Sequence, residues 1–103
     1  DQLPDNSPQK KVIMQYKREY EQAYQSPVSS FGGHAYDGLM MAFSAIKRAG
    51  TTDKHKVRTA LENTSNYVGT AGVVNMSKQD HLGLDLTAFK MLEIHNGQWV
   101  LVE

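Results

Sequence analysis

The sequence has no cysteine. That excludes a disulfide scaffold, a cysteine-ligated zinc site and a thiol nucleophile. It leaves the compartment open, since many proteins of oxidising compartments also lack the residue. There is no surplus of either charge, because eleven Lys and Arg balance eleven Asp and Glu. A nucleic-acid partner asks for clustered basic side chains, so neutrality argues against one. Long apolar runs are missing too. The most apolar stretch, Gly38 to Ala45, falls far short of the roughly 20 residues that span a bilayer. The chain opens on Asp1 rather than Met, without a basic-then-apolar leader. The expectation is a chain processed or cut from something longer. Its 103 residues suffice for one core and not two.

What is present reads as helices first and strands last. Two of the three prolines fall in residues 1–9, an extended or turning lead-in. From Lys10, Ile13, Tyr16, Tyr20 and Ala23 or Tyr24 recur at three- and four-residue spacing, which predicts an amphipathic helix ended by the approach to Pro27. Its tyrosines are expected at the core edge with hydroxyls reaching water. Ser29 or Ser30 can cap a second helix through Tyr36, Leu39, Met40, Phe43 and Ile46, closed by Gly50. Apolar around most of its girth from Leu39 to Phe43, it is expected to be the most buried element. Thr52 or Asp53 caps a third helix with Val57, Ala60 and Leu61 as its stripe, and the three are expected to make a compact helical unit.

The period then changes. Gly69 and Gly72 bracket a short segment leading into a short strand over Val73-Val74-Asn75-Met76, followed by a polar loop from Ser77 to Leu84. Ala88 to His95 and Gln98 to Val102 are strand-like runs joined by Asn96-Gly97, whose residues accept positive φ. Both faces of that hairpin are apolar, so each needs cover.

Few residues carry chemistry. His34, His55, His81 and His95 show no metal-ligand spacing, and no metal or cofactor is expected. Asp80 to Asp85 lacks the alternating oxygens of a calcium loop and reads as turn chemistry. Gly32-Gly33 lacks the spacing and Lys of a phosphate loop, and no Ser sits in a nucleophile elbow, so no enzyme is specified. Asn63-Thr64-Ser65 and Asn75-Met76-Ser77 match a glycosylation pattern that arises often by chance. One binding candidate remains, Ser30-Phe31-Gly32 at the start of the second helix. A helix N-terminus offers free N–H groups, and an aromatic ring among small residues can wall an apolar ligand. An ordinary cap with a staple-like Phe accounts for the same residues.

The run Ser30-Phe31-Gly32-Gly33-His34-Ala35-Tyr36-Asp37-Gly38-Leu39 resembles the F-x-x-x-x-Y-D-A helix start of branched-chain amino-acid-binding proteins, the type I periplasmic solute-binding proteins of ABC importers. The likeness continues through Ala45 to Gly50, Val57 to Leu61, Tyr67 to Gly72 and Asp80 to Asp85, and closes on Asn96 to Val102. Gly38 departs from it, since Ala is commoner there.

The resemblance implies an α/β fold of two lobes, of which this chain is the last third and α+β in isolation. Residues 1–9 would lead in, 10–68 would form the helical part of the first lobe, 69–86 a crossover and loop, and 87–103 a hairpin on the second lobe. The implied role is periplasmic or lipid-tethered capture of an amino-acid-like ligand by cleft closure and delivery to an ABC permease. Phe31 would contact ligand, helped by Ser30 and Gly32, while the groups gripping ammonium and carboxylate lie upstream. The isolated chain is expected to bind amino acids weakly or not at all and to self-associate, in the limit by exchanging strands across a dimer. A rival reading is a small helical interaction module whose hairpin pairs with a partner chain.

Overall fold

The computed structural model describes residues 2–102. Three helices come first: α1 (Pro8–Tyr24), α2 (Ser30–Ala49) and α3 (Lys54–Glu62). Each starts on a short polar side chain that accepts from the first turn. Ser7 accepts from the Lys10 N–H, Ser29 from that of Gly32 and Asp53 from that of Lys56. α1 begins two residues ahead of its apolar period because Pro8, with φ already helical, serves in its first turn. It stops at Gln25, which turns left-handed at φ 51° ahead of Pro27. Gly50 closes α2 at φ 66°, the conformation that a glycine adopts without strain.

Two small antiparallel ladders follow. β1 (Tyr67–Val68) pairs with β2 (Val73–Val74), and β3 (Leu92–His95) pairs with β4 (Gln98–Leu101). The first of these is absent from the sequence expectation. Gly69 and Gly72 do more than precede a strand: the Gly69 N–H donates to the Gly72 carbonyl at 2.8 Å and folds Tyr67-Val68 back on Val73-Val74. The second runs in the expected register about Asn96-Gly97, both at positive φ. Its first strand starts at Leu92 rather than Ala88. The Asp85 carboxylate caps a 3-10 turn over Leu86–Ala88 and holds those residues out of the ladder.

The core is small. Tyr16, Met41, Ala45 and Val74 are its buried apolar residues, with Asp37, Glu62 and Thr64 as buried polar ones. α2 buries one stripe, Gly33, Asp37, Met41 and Ala45, and not its girth. Leu39 is 70% exposed and Phe43 63%, contrary to the expected all-round burial. Periodicity reports how apolar a helix is; what lies against it is decided by the rest of the fold. Among the described residues α3 and the tyrosines of α1 cover a single side. The described chain as a whole is more extended than a complete domain. The radius of gyration is 15.7 Å, against about 13 Å for an ordinary domain of this length.

Two buried carboxylates join the pieces. Asp37, 6% exposed, accepts from the Thr70 N–H and hydroxyl and from the Ala71 N–H at 2.8–3.1 Å. Gly69 lets that turn come so near, since a Cβ there would sit 2.7 Å from the Asp37 Oδ2. At the end of α3, Glu62 accepts from Arg58 at 2.9 Å and pairs with His81 at 3.2 Å, fastening the loop from Ser77 to Gly83. The Arg58 guanidinium holds the Glu62 carboxyl below the usual glutamate range, against the opposing effect of burial and with help from His81.

Asp37→Ala leaves buried N–H donors unanswered and is expected to cost about 2–4 kcal/mol, measured by urea denaturation. A depressed folded pKa stabilises above the unfolded value and is lost as pH falls through the folded one. Glu62→Gln is therefore expected to flatten the acid limb of a stability-versus-pH curve below the usual glutamate range. An unchanged acid limb would refute the latch.

Candidate functional site

The first turn of α2 is where the sequence candidates meet. Ser29 Oγ takes the Gly32 N–H at 3.2 Å, and the N–H groups of Ser30 and Phe31 precede the first intrahelical acceptor. Tyr16 supports this turn from below, its ring 4.9 Å from that of Tyr36 and 5.8 Å from that of Tyr20. A Cβ at Gly32 would stand 2.5 Å from the Tyr16 hydroxyl oxygen, so glycine is what lets α1 and α2 approach there.

Ser30, Phe31 and Gly32 are adjacent in sequence but look in different directions. Ser30 borders a cleft of about 250 Å³ with Tyr16, Ser29, Gly33, His34 and Thr70. Gly32 borders a second hollow of about 380 Å³, walled by Tyr16, Tyr20, Tyr24 and Tyr36. Phe31 belongs to neither and stands 86% exposed. The structure thus gathers Ser30 and Gly32 around Tyr16 and leaves the aromatic ring projecting away from both hollows. The staple-like alternative is excluded, because a staple ring packs down on its own helix.

Tyr16 departs from the expected core-edge tyrosine. Its hydroxyl is buried and has no hydrogen-bond partner among the described residues. Burial pushes its phenol up, with Tyr20 and the Asp37 carboxylate adding to the effect. Tyr67 is raised in the same direction by burial, then by Asp37 and Tyr36. Both phenols are neutral at physiological pH, and the cleft presents hydroxyl and N–H donors. No group of three His, Cys, Asp or Glu that could hold a metal ion occurs among the described residues. Asp80 and Asp85 both answer backbone N–H groups, of Leu82 and Gly83 and of Thr87.

Sequence reasoning missed the supporting partners Tyr16, Asp37 and Thr70. The available signal was Asp37 itself, a carboxylate on the same four-residue spacing as Gly33, Met41 and Ala45.

A family model described as periplasmic binding protein matches residues 3–94. The chain belongs to that family. Among solved structures, an extracellular ligand-binding receptor from Rhodopseudomonas palustris is 25% identical with a TM-score of 0.84, over 97% of this chain and 30% of its own. Another from the same organism is 27% identical with a TM-score of 0.81, over 98% and 30%. A leucine-binding protein from Thermotoga maritima shares the fold at 22% identity and a TM-score of 0.66, over 95% and 26%. No curated protein matches. The chain therefore spans under a third of the length of the receptors it matches. Three helices with short antiparallel strands correspond to part of the periplasmic binding protein fold, as the resemblance implied.

The exposed Phe31 contributes nothing to the core of this family member, so Phe31→Ala is expected to change stability by no more than about 0.5 kcal/mol. Tyr16→Phe removes a buried hydroxyl without a partner and is expected to stabilise by about 1 kcal/mol. Denaturant titrations of both variants check the pair; a large loss in Phe31→Ala would give that ring a structural role.

Proposed function

We propose that this chain forms the C-terminal part of an extracytoplasmic receptor that captures an amino-acid-like solute by closure of two lobes and passes it to an ABC permease. The family membership supports ligand binding, and the printed description of one neighbour as leucine-binding supports an amino-acid-like solute. No described helix is long and apolar enough to cross a membrane. The observation that carries the reading at residue level is Phe31, a large ring held in the open on a capped, buried-face helix. Exposing such a ring is useful where a ligand covers it.

In this reading residues 10–68 sit in the first lobe, 69–86 cross over, and 87–103 join the second. Phe31 supplies the apolar contact, and Ser30 and Gly32 keep the adjoining turn narrow. Affinity comes from differential contact between open and closed lobes, with no bond made or broken. Alone, the chain lacks the opposite wall and covers its apolar hairpin by self-association, strand exchange included.

Thermal-shift titration of the full-length parent against a panel of amino acids tests this. At least one member is expected to raise the melting temperature, and Phe31→Ala to weaken that ligand about tenfold, the value of one buried aromatic contact. A parent unresponsive to the whole panel would remove the amino-acid reading. An unaltered affinity in Phe31→Ala would remove the residue from the site and leave the receptor reading standing.

A further inference from the structure

Tyr16 and Gly32 meet in a contact that neither residue's own surroundings favour. Gly32 lies in the first turn of α2 and is not among the residues at positive φ, so its backbone does not ask for glycine. Alanine is the better helix former there. Tyr16 keeps a buried hydroxyl that no described group answers, and phenylalanine would place the same ring without that penalty. The two unfavourable choices face each other. A Cβ on Gly32 would stand 2.5 Å from the Tyr16 Oη but 3.9 Å from its Cζ, so the hydroxyl oxygen is the atom that an alanine would strike.

We propose that Tyr16 and Gly32 are a positioning pair, in which the hydroxyl oxygen is a spacer that fixes how far the first turn of α2 stands off α1 and so aims Phe31. The Tyr16 ring is held against those of Tyr36 and Tyr20, at 4.9 Å and 5.8 Å between centroids, so its oxygen marks a set height. Further along α2, Asp37 is fixed on Thr70 and Ala71. The helix start therefore has one anchor along its length and one stop beneath its tip. Phe31 is bonded directly to Gly32, the residue that meets the stop, and its exposed ring has little packing of its own to hold it. Two local preferences are set aside at a single contact beside an exposed aromatic ring. Such places are where stability is given up for geometry. Both halves of the contact lie within α1 and α2, and this chain itself closes off the oxygen.

The pair's role rests on the reading of Phe31 as a ligand contact, and adds what aims that ring. A double-variant cycle in the full-length parent tests it, with urea denaturation and calorimetric titration of each amino acid of the panel as separate readouts. Tyr16→Phe removes the spacer. Its denaturation midpoint is expected to rise while the amino acids that wild type takes bind about threefold more weakly. A purely structural tyrosine would give the rise in stability and leave affinity alone. Gly32→Ala drives a Cβ against the oxygen, lifts the turn and is expected to weaken the same binding about tenfold. In Tyr16→Phe/Gly32→Ala the new methyl group takes the place of the missing oxygen, at ordinary contact distance from the ring. Affinity is then expected to return to within about twofold of wild type, better than either single variant. Tyr16→Phe and the double variant carry the test even where Gly32→Ala does not fold. Unchanged affinity in Tyr16→Phe, or losses that simply add in the double variant, would overturn the positioning pair and leave the receptor reading standing. Wild-type affinity in Phe31→Ala, measured alongside, would remove that ring from the site and leave the pair nothing to aim.

Discussion

The Asp37 carboxylate is the constraint on which the rest of the structure leans. It lies on the buried stripe of α2 and accepts three bonds from Thr70 and Ala71. A charged acceptor in a dry place is costly unless every lone pair is answered, and here backbone donors of a tight turn answer it. The turn can lie this close to the carboxylate because Gly69 has no Cβ, which would stand 2.7 Å from the Asp37 Oδ2. Thr70 also receives the Gln9 amide on its carbonyl at 3.3 Å, which draws in the start of α1. One carboxylate thereby ties together all three segments that surround the first turn of α2. With so few buried apolar residues, this polar clamp does work that a larger core does elsewhere.

How much of this was legible in the sequence depends on the range of the cause. Caps and turns are local, and Ser29, Asp53, Gly50 and Asn96-Gly97 perform as their residue types require. The β1–β2 hairpin was hidden because two residues per strand carry no period; it forms because Asp37, more than thirty positions away, holds its turn. Burial failed for the same reason. Leu39 and Phe43 are apolar enough for a core, yet nothing in a periodicity says whether a neighbour covers them.

The exposed apolar surface has two kinds of place. On α2, Leu39 and Phe43 lie opposite the stripe that α3 and α1 cover, a pattern suited to a helix packed on two sides. On the hairpin, Leu92, Ile94 and Trp99 are exposed on strands that touch the rest of the chain mainly through the lead-in. The chain spans about 30% of the length of the receptors it matches.

The clamp and the exposed ring are connected by economy of motion. A side chain that is to contact a ligand gains most when its backbone is already held, since ordering on binding is subtracted from affinity. Phe31 is one residue into a helix that is capped by Ser29, seated on Tyr16 and anchored by Asp37 a turn and a half further on. Its backbone is fixed while its ring is free. The buried, partnerless Tyr16 hydroxyl fits the same logic. Tyr16 fills the space beneath Gly32 and accepts an unfavourable burial there, which holds the turn at a fixed height. Rigidity is concentrated under the residue that faces outward, and the apolar surface left bare lies on elements that the clamp does not reach.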